Sequence, residues 1–127
     1  MQMINKTVVI LGASDKPDRY AFKAQQRLME HHYHVIPVAP HGKTVLGIAS
    51  LKQLSEIPEP VDTVTLYVGP KNLAAHVAAL VELKPRRVIF NPGTEDPDIE
   101  KRLQDAGIHT LEACTLVLLS TAQFETA

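Results

Sequence analysis

The chain has 127 residues, the usual size of one compact domain, and its 45% apolar and 21% charged side chains exclude disordered, collagen-like and low-complexity classes. A formal net charge of −1 offers no basic field for non-specific nucleic-acid binding, and no apolar run approaches the ~20 residues that cross a bilayer. One cysteine excludes an internal disulfide, the six histidines lack zinc-ligand spacing, and Met1-Gln2-Met3-Ile4-Asn5-Lys6 is not a charged and then apolar secretory signal; a single cytoplasmic domain over 1–127 is expected.

In chain order, Thr7 to Leu11 is a β-branched run ending at Gly12, and Ala21, Ala24 and Leu28 then repeat at helical spacing. His34 to Val38 is a second apolar run, and the helix between the two is long enough for a right-handed crossover to a parallel strand. Ser50 and Gln53 have capping-box spacing and predict a short helix ended by Pro58 and Pro60. Thr63 to Val68 is the third main strand. Gly69-Pro70 opens a helix with Leu73, Val77, Leu80 and Val81 on one face, ended by Pro85. Val88 to Phe90 is the fourth strand. Asp96-Pro97 caps a helix that turns Ile99, Leu103 and Ala106 inward and closes at Gly107. Ile108 to Leu111 is the fifth strand, and a terminal helix is expected after Cys114.

Strands alternating with helices predict an α/β, doubly wound, Rossmann-like domain of about five mainly parallel strands, whose ligands bind beyond the carboxyl ends of the strands. The loop Gly12-Ala13-Ser14-Asp15-Lys16-Pro17-Asp18-Arg19 stands where such folds cradle phosphates on backbone amides at a helix N-terminus, although it is not a G-x-G-x-x-G sequence. NAD-binding domains place an acid at the end of the second strand to bond the ribose hydroxyls. Here Val38-Ala39-Pro40-His41-Gly42-Lys43 is neutral to basic, which either points to a ribose phosphate as in NADP or coenzyme A or reflects plain solvated loop residues at His41 and Lys43. Asn91-Pro92-Gly93-Thr94-Glu95 sets a turn, a hydroxyl and a carboxylate in the same crevice, suited either to an adenine or pantetheine amide or to a plain βα turn. Glu95 is a candidate general base without an identifiable partner, and Cys114 a thiol facing the crevice or a core residue. His31, His32 and His34 cluster at a helix end, where the dipole favours positive charge, and are assigned no metal.

Val8-Val9-Ile10-Leu11-Gly12-Ala13-Ser14-Asp15-Lys16-Pro17, Val35-Ile36-Pro37-Val38-Ala39-Pro40, Leu46-Gly47 before Ser50-Leu51, Ile57-Pro58-Glu59-Pro60-Val61-Asp62 and Glu112-Ala113-Cys114 together resemble the stand-alone bacterial coenzyme-A-binding domain proteins. Their fold is shared with the N-terminal domain of the succinyl-CoA synthetase alpha subunit. Over residues 6 to 120 the resemblance implies coenzyme A or an acyl-CoA lying across the strand ends. Gly12, Ala13 and Ser14 would lie near its phosphates, Pro40 with its neighbours Val38 and Ala39 would line the nucleotide pocket, and Arg19 and Lys43 would be candidate phosphate partners. Val68, Asn91, Pro92 and Gly93 would form the crevice wall after the third and fourth strands, with Lys16, Tyr20 and Cys114 also among the binding residues. The chain departs from the pattern at Asp18-Arg19-Tyr20-Ala21, where a glycine and serine often occur, and at Gly69-Pro70, which replaces a more basic segment.

No base and nucleophile pair is apparent, so the expected function is non-catalytic binding of coenzyme A or acyl-CoA. The alternatives are a small NADP- or acyl-CoA-dependent enzyme using Glu95 or Cys114, and a regulatory subunit with a vestigial nucleotide pocket. Nucleic acid and membrane are not expected partners, and the sequence is compatible with a homodimer.

Overall fold

The computed structural model describes residues 6–127; the amino-terminal run read for a secretory signal lies, apart from Lys6, outside the described residues. Five parallel strands, β1 (Thr7–Leu11), β2 (His34–Val38), β5 (Thr63–Leu66), β6 (Arg87–Phe90) and β7 (His109–Glu112), form one sheet in the order β2-β1-β5-β6-β7. Leu51 makes a single parallel bridge to Val38 outside β2, holding the place of a further strand with one residue. The chain therefore reverses direction across the sheet between β1 and β5, the switch point at which the loops after these strands part and leave a crevice.

Alternation along each buried strand feeds two cores. Val9, Leu11, Val64, Leu66, Val88 and Phe90 face α3 (Val77–Leu83) and α4 (Pro97–Asp105), whereas Val8, Ile10, Val35 and Ile89 face α1 (Tyr20–Glu30) and α5 (Thr115–Ser120). Each such side chain contributes roughly 1.5–3 kcal/mol by leaving water. Arg87 also points to the α1 and α5 side and is fully buried. It donates to Thr63 Oγ1 (3.0 Å) and to the carbonyls of Phe124 (2.6 Å) and Ala127 (3.0 Å), beneath the Phe124 ring.

The α4 cap forms as expected: Asp96 accepts from the amides of Asp98 and Ile99. Its far end is a Schellman motif, in which Gly107 at φ +87° donates to Gln104 and Ile108 to Leu103. Ala106, expected to face inward, is exposed because it is the residue at which the helix stops.

Three other expectations are corrected. The helix after Gly69 is broken into α2 (Pro70–Leu73), a 3-10 turn at Ala74–His76 and α3, although Pro85 ends it as expected: a residue before proline avoids the right-handed region, and Lys84 turns left-handed at φ +53°. The third main strand ends at Leu66 rather than Val68; Tyr67 still donates to Leu11, and the chain then leaves the sheet. No capping box forms at Ser50: the Leu51 bridge keeps the chain extended, the Ser50 hydroxyl is buried without a partner among the described residues, and the only helical turn is a 3-10 turn at Leu54–Glu56.

A small hairpin of β3 (Thr44–Val45) and β4 (Ile48–Ala49) had no signal in the pattern. Its two-residue turn, Leu46-Gly47, has positive φ at both positions, and Gln25 of α1 anchors it through the Val45 carbonyl (3.0 Å).

Candidate functional site

At the carboxyl end of β1 the chain turns through Gly12 at φ +97°, and a Cβ there would stand 2.8 Å from the Tyr67 carbonyl oxygen. The amides of Gly12 and Ala13 both donate to the Val38 carbonyl, at 2.9 and 3.1 Å. These bonds tie the β1 loop to β2. The amide of Lys16 donates to Ser14 Oγ at 3.1 Å, and that of Arg19 to the Lys16 carbonyl at 3.0 Å.

Helix α1 begins without a side-chain cap. Its first internal bond runs from Lys23 to Arg19, so the amides of Tyr20, Ala21 and Phe22 have no protein partner among the described residues. They lie at the positive end of the helix dipole beside a cavity of 240 Å³ lined by Gly12, Ser14, Arg19, Tyr20, Ala21 and Tyr67. The unbonded amides of this loop are thus at the start of α1 rather than at Gly12 and Ala13. Lys16 and Arg19 are exposed.

The loop after β2 is held to this one by His41. Its Nδ1 accepts from the Lys43 amide (2.8 Å), so Nε2 carries the proton and donates to the Ala13 carbonyl (2.9 Å). Val38 and Ala39 are buried, Val38 in the α3 and α4 core and Ala39 in the other, and serve the scaffold; Pro40 is exposed. Lys43 Nζ lies 3.9 Å from Asp15, and the Lys52 side chain crosses Gly42, where a Cβ would approach its Cε to 3.0 Å. Two ammonium groups thus flank this loop. Lys52 escaped the sequence reading because it lies nine positions beyond Lys43 and is brought back by the hairpin.

Beyond the switch point, Tyr20, Tyr67, Asn91, Pro92, Cys114, Leu116 and Val117 line a cavity of 400 Å³. Asn91 is not free to bond a ligand amide: its Nδ2 donates to Thr65 Oγ1 (2.6 Å) and the Leu66 carbonyl (2.9 Å), and its Oδ1 accepts from the Thr115 amide (2.9 Å). It clamps β5, β6 and α5 together and presents only a flank to the cavity. Gly93 at φ +92° lies exposed on the turn, and its amide donates to Glu95 (2.8 Å), which occupies the carboxylate in turn geometry. Val68 is half-buried against the core with its Cγ1 beside Gly12. Cys114, half-buried, precedes α5. Tyr67, which the sequence reading missed, lines both cavities, and burial pushes its phenol up to about 12, so it stays protonated. An aromatic residue at the carboxyl end of a central strand was the signal that could have found it.

Residues 6–120 match the family model of the CoA binding domain. The chain belongs to the CoA binding domain family. A crystal structure of an uncharacterised protein is 43% identical and superposes at a TM-score of 0.90, covering 96% of this chain and all of that one. A structure from Thermus thermophilus is 31% identical at a TM-score of 0.87, covering 94% and 91%. The dinucleotide-forming acetyl-coenzyme A synthetase 1 of Ca. Korarchaeum cryptofilum shares the fold at a TM-score of 0.73 with 16% identity, over 84% of this chain and 25% of its own. The uncharacterised protein YneT of Bacillus subtilis is 32% identical over 63 residues, which span 50% of this chain and about half, 47%, of that relative. No helix of the described residues is long and apolar enough to cross a membrane.

Proposed function

We propose that this domain binds coenzyme A or an acyl-CoA across the carboxyl ends of its sheet and performs no chemistry on it. The observation that carries the reading is the crevice at the switch point, with an uncapped helix start at one end, two lysines at the β2 loop and an apolar cavity at the other end. In this arrangement the pyrophosphate lies at Ser14 and the first amides of α1, with Lys16 and Arg19 above it. The ribose phosphate lies at Lys43 and Lys52 beside Pro40, and the pantetheine arm passes Tyr67 and Pro92. The end of β2 offers no carboxylate of its own for NAD ribose hydroxyls. Binding without catalysis is supported by Glu95, whose carboxylate accepts the Gly93 amide within its own turn.

Calorimetry with coenzyme A, dephospho-coenzyme A, NADP and NAD tests the reading. Coenzyme A is expected to bind about tenfold more tightly than its dephospho form, the worth of roughly one charge-assisted contact. A Lys43→Ala, Lys52→Ala double variant should erase that difference. Tighter binding of NAD than of coenzyme A would overturn the assignment.

A further inference from the structure

Among the described residues, the exposed large hydrophobic side chains are Tyr20 (68% exposed) and Val117 (54%), and both stand on the same side of the crevice. They join three hollows. The phosphate-end cavity shares Tyr20 and Tyr67 with the 400 Å³ cavity, and that one shares Leu116 and Val117 with a groove of 470 Å³ between α1 and α5. The remaining walls of this groove are Lys23, Gln26, Arg27 and Ser120. The result is a continuous trough that begins at the helix start and runs out along α5.

Its chemistry changes along its length. The first part has free amides and Arg19. The middle has rings, a proline, Cys114 and aliphatic side chains, and its one amide side chain, Asn91, has both its nitrogen and its oxygen engaged inside the protein. At the end, the long Lys23 and Arg27 side chains can lay their stems along an apolar guest while their charges stay in water.

Length decides what reaches the end. From β1 to β7 there are three strand spacings, about 14 Å. The pantetheine arm, whose backbone equals about four residues of extended chain, also reaches about 14 Å. Its sulfur would therefore arrive beside Cys114, leaving the groove beyond Leu116 and Val117 to whatever the sulfur bears.

Resting on the coenzyme A reading above, we infer that the trough between α1 and α5 receives the aliphatic chain of an acyl-CoA thioester, so that the physiological ligand is acylated rather than the free thiol. The occupant is a chain of the same ligand because the groove shares Leu116 and Val117 with the cavity that holds the arm, and because these two side chains and the stems of Lys23 and Arg27 offer a guest aliphatic surface.

The test is calorimetry with coenzyme A, acetyl-, butyryl- and octanoyl-CoA on the whole chain. Affinity is expected to rise about two- to fourfold per methylene until the groove is filled. In Val117→Asp, at an exposed helix position that leaves the core untouched, the ratio of octanoyl-CoA to coenzyme A affinity should fall to near one. Tight binding of coenzyme A with a flat acyl series overturns this inference alone. Failure of coenzyme A itself to bind overturns the ligand reading and the inference with it. A flat series, together with a dimer in sedimentation that Val117→Asp dissociates, would also overturn it and give the patch to a second copy of the chain.

Discussion

Gly12 answers two demands at once, a left-handed backbone at φ +97° and the approach of the Tyr67 carbonyl to 2.8 Å of any Cβ. Gly12→Ala is therefore expected to lower stability by about 2–4 kcal/mol, the sum of backbone strain and displaced packing, measured by urea unfolding. An unchanged midpoint would mean that the β5 loop can withdraw freely. Sequence position alone marked this glycine as important but for a different reason, as a phosphate-contacting residue. Which of its roles applies depends on the Val38 carbonyl, 26 residues away, taking up its amide. Asn91 was legible in the same incomplete way. Its place after a strand could be read, but its partners Thr65 and Thr115 lie 26 and 24 positions off in sequence, and only the folded sheet brings them together.

At the scale of elements, the runs 7–11 and 34–38 have the same bounds in sequence and structure because parallel strands covered on both faces read as nearly unbroken apolar segments, even β2 at the end of the sheet, where only Leu51 continues it. The β3–β4 hairpin was illegible because two-residue strands have no period, and the Ser50 box failed because one long-range bridge outweighed a local cap. Packing of α4 against the end of β7 makes a further feature that no local pattern shows. Burial, and then the neighbouring Glu112 carboxylate, raise the Glu100 carboxyl to about 7. An acid held above its unfolded value of 4.5 binds more protons in the folded state, so stability is greatest below that unfolded value and declines as pH rises toward 7. Glu100→Gln should therefore stabilise the domain at pH 8 by about 1 kcal/mol, a figure reduced for partial solvent screening, and by little at pH 4.5. Unfolding at the two pH values checks this; equal gains at both would show that the Glu100 carboxyl is not raised in the folded state.

On the scale of the whole molecule, the crevice is assembled from loops that belong to five different strands, and a ligand lying across it ties the two halves of the sheet together at the point where the chain changes direction. A ligand that binds only this assembled state stabilises the fold by mass action. At a free concentration one hundred times its dissociation constant the gain is about 2.7 kcal/mol. For a domain of this size each kilocalorie raises the melting temperature by roughly 2–5 °C, so saturation with coenzyme A should raise it by about 6–12 °C. Dephospho-coenzyme A at the same concentration should give a smaller rise, because it would lack the contacts proposed at Lys43 and Lys52, and NAD almost none. Calorimetric scans at fixed ligand concentration make the comparison directly. A vestigial crevice, closed by its own hydrogen bonds at His41 and Asn91, would give no shift with any of the three, whereas a working one sets coenzyme A, with its ribose phosphate, above the other two.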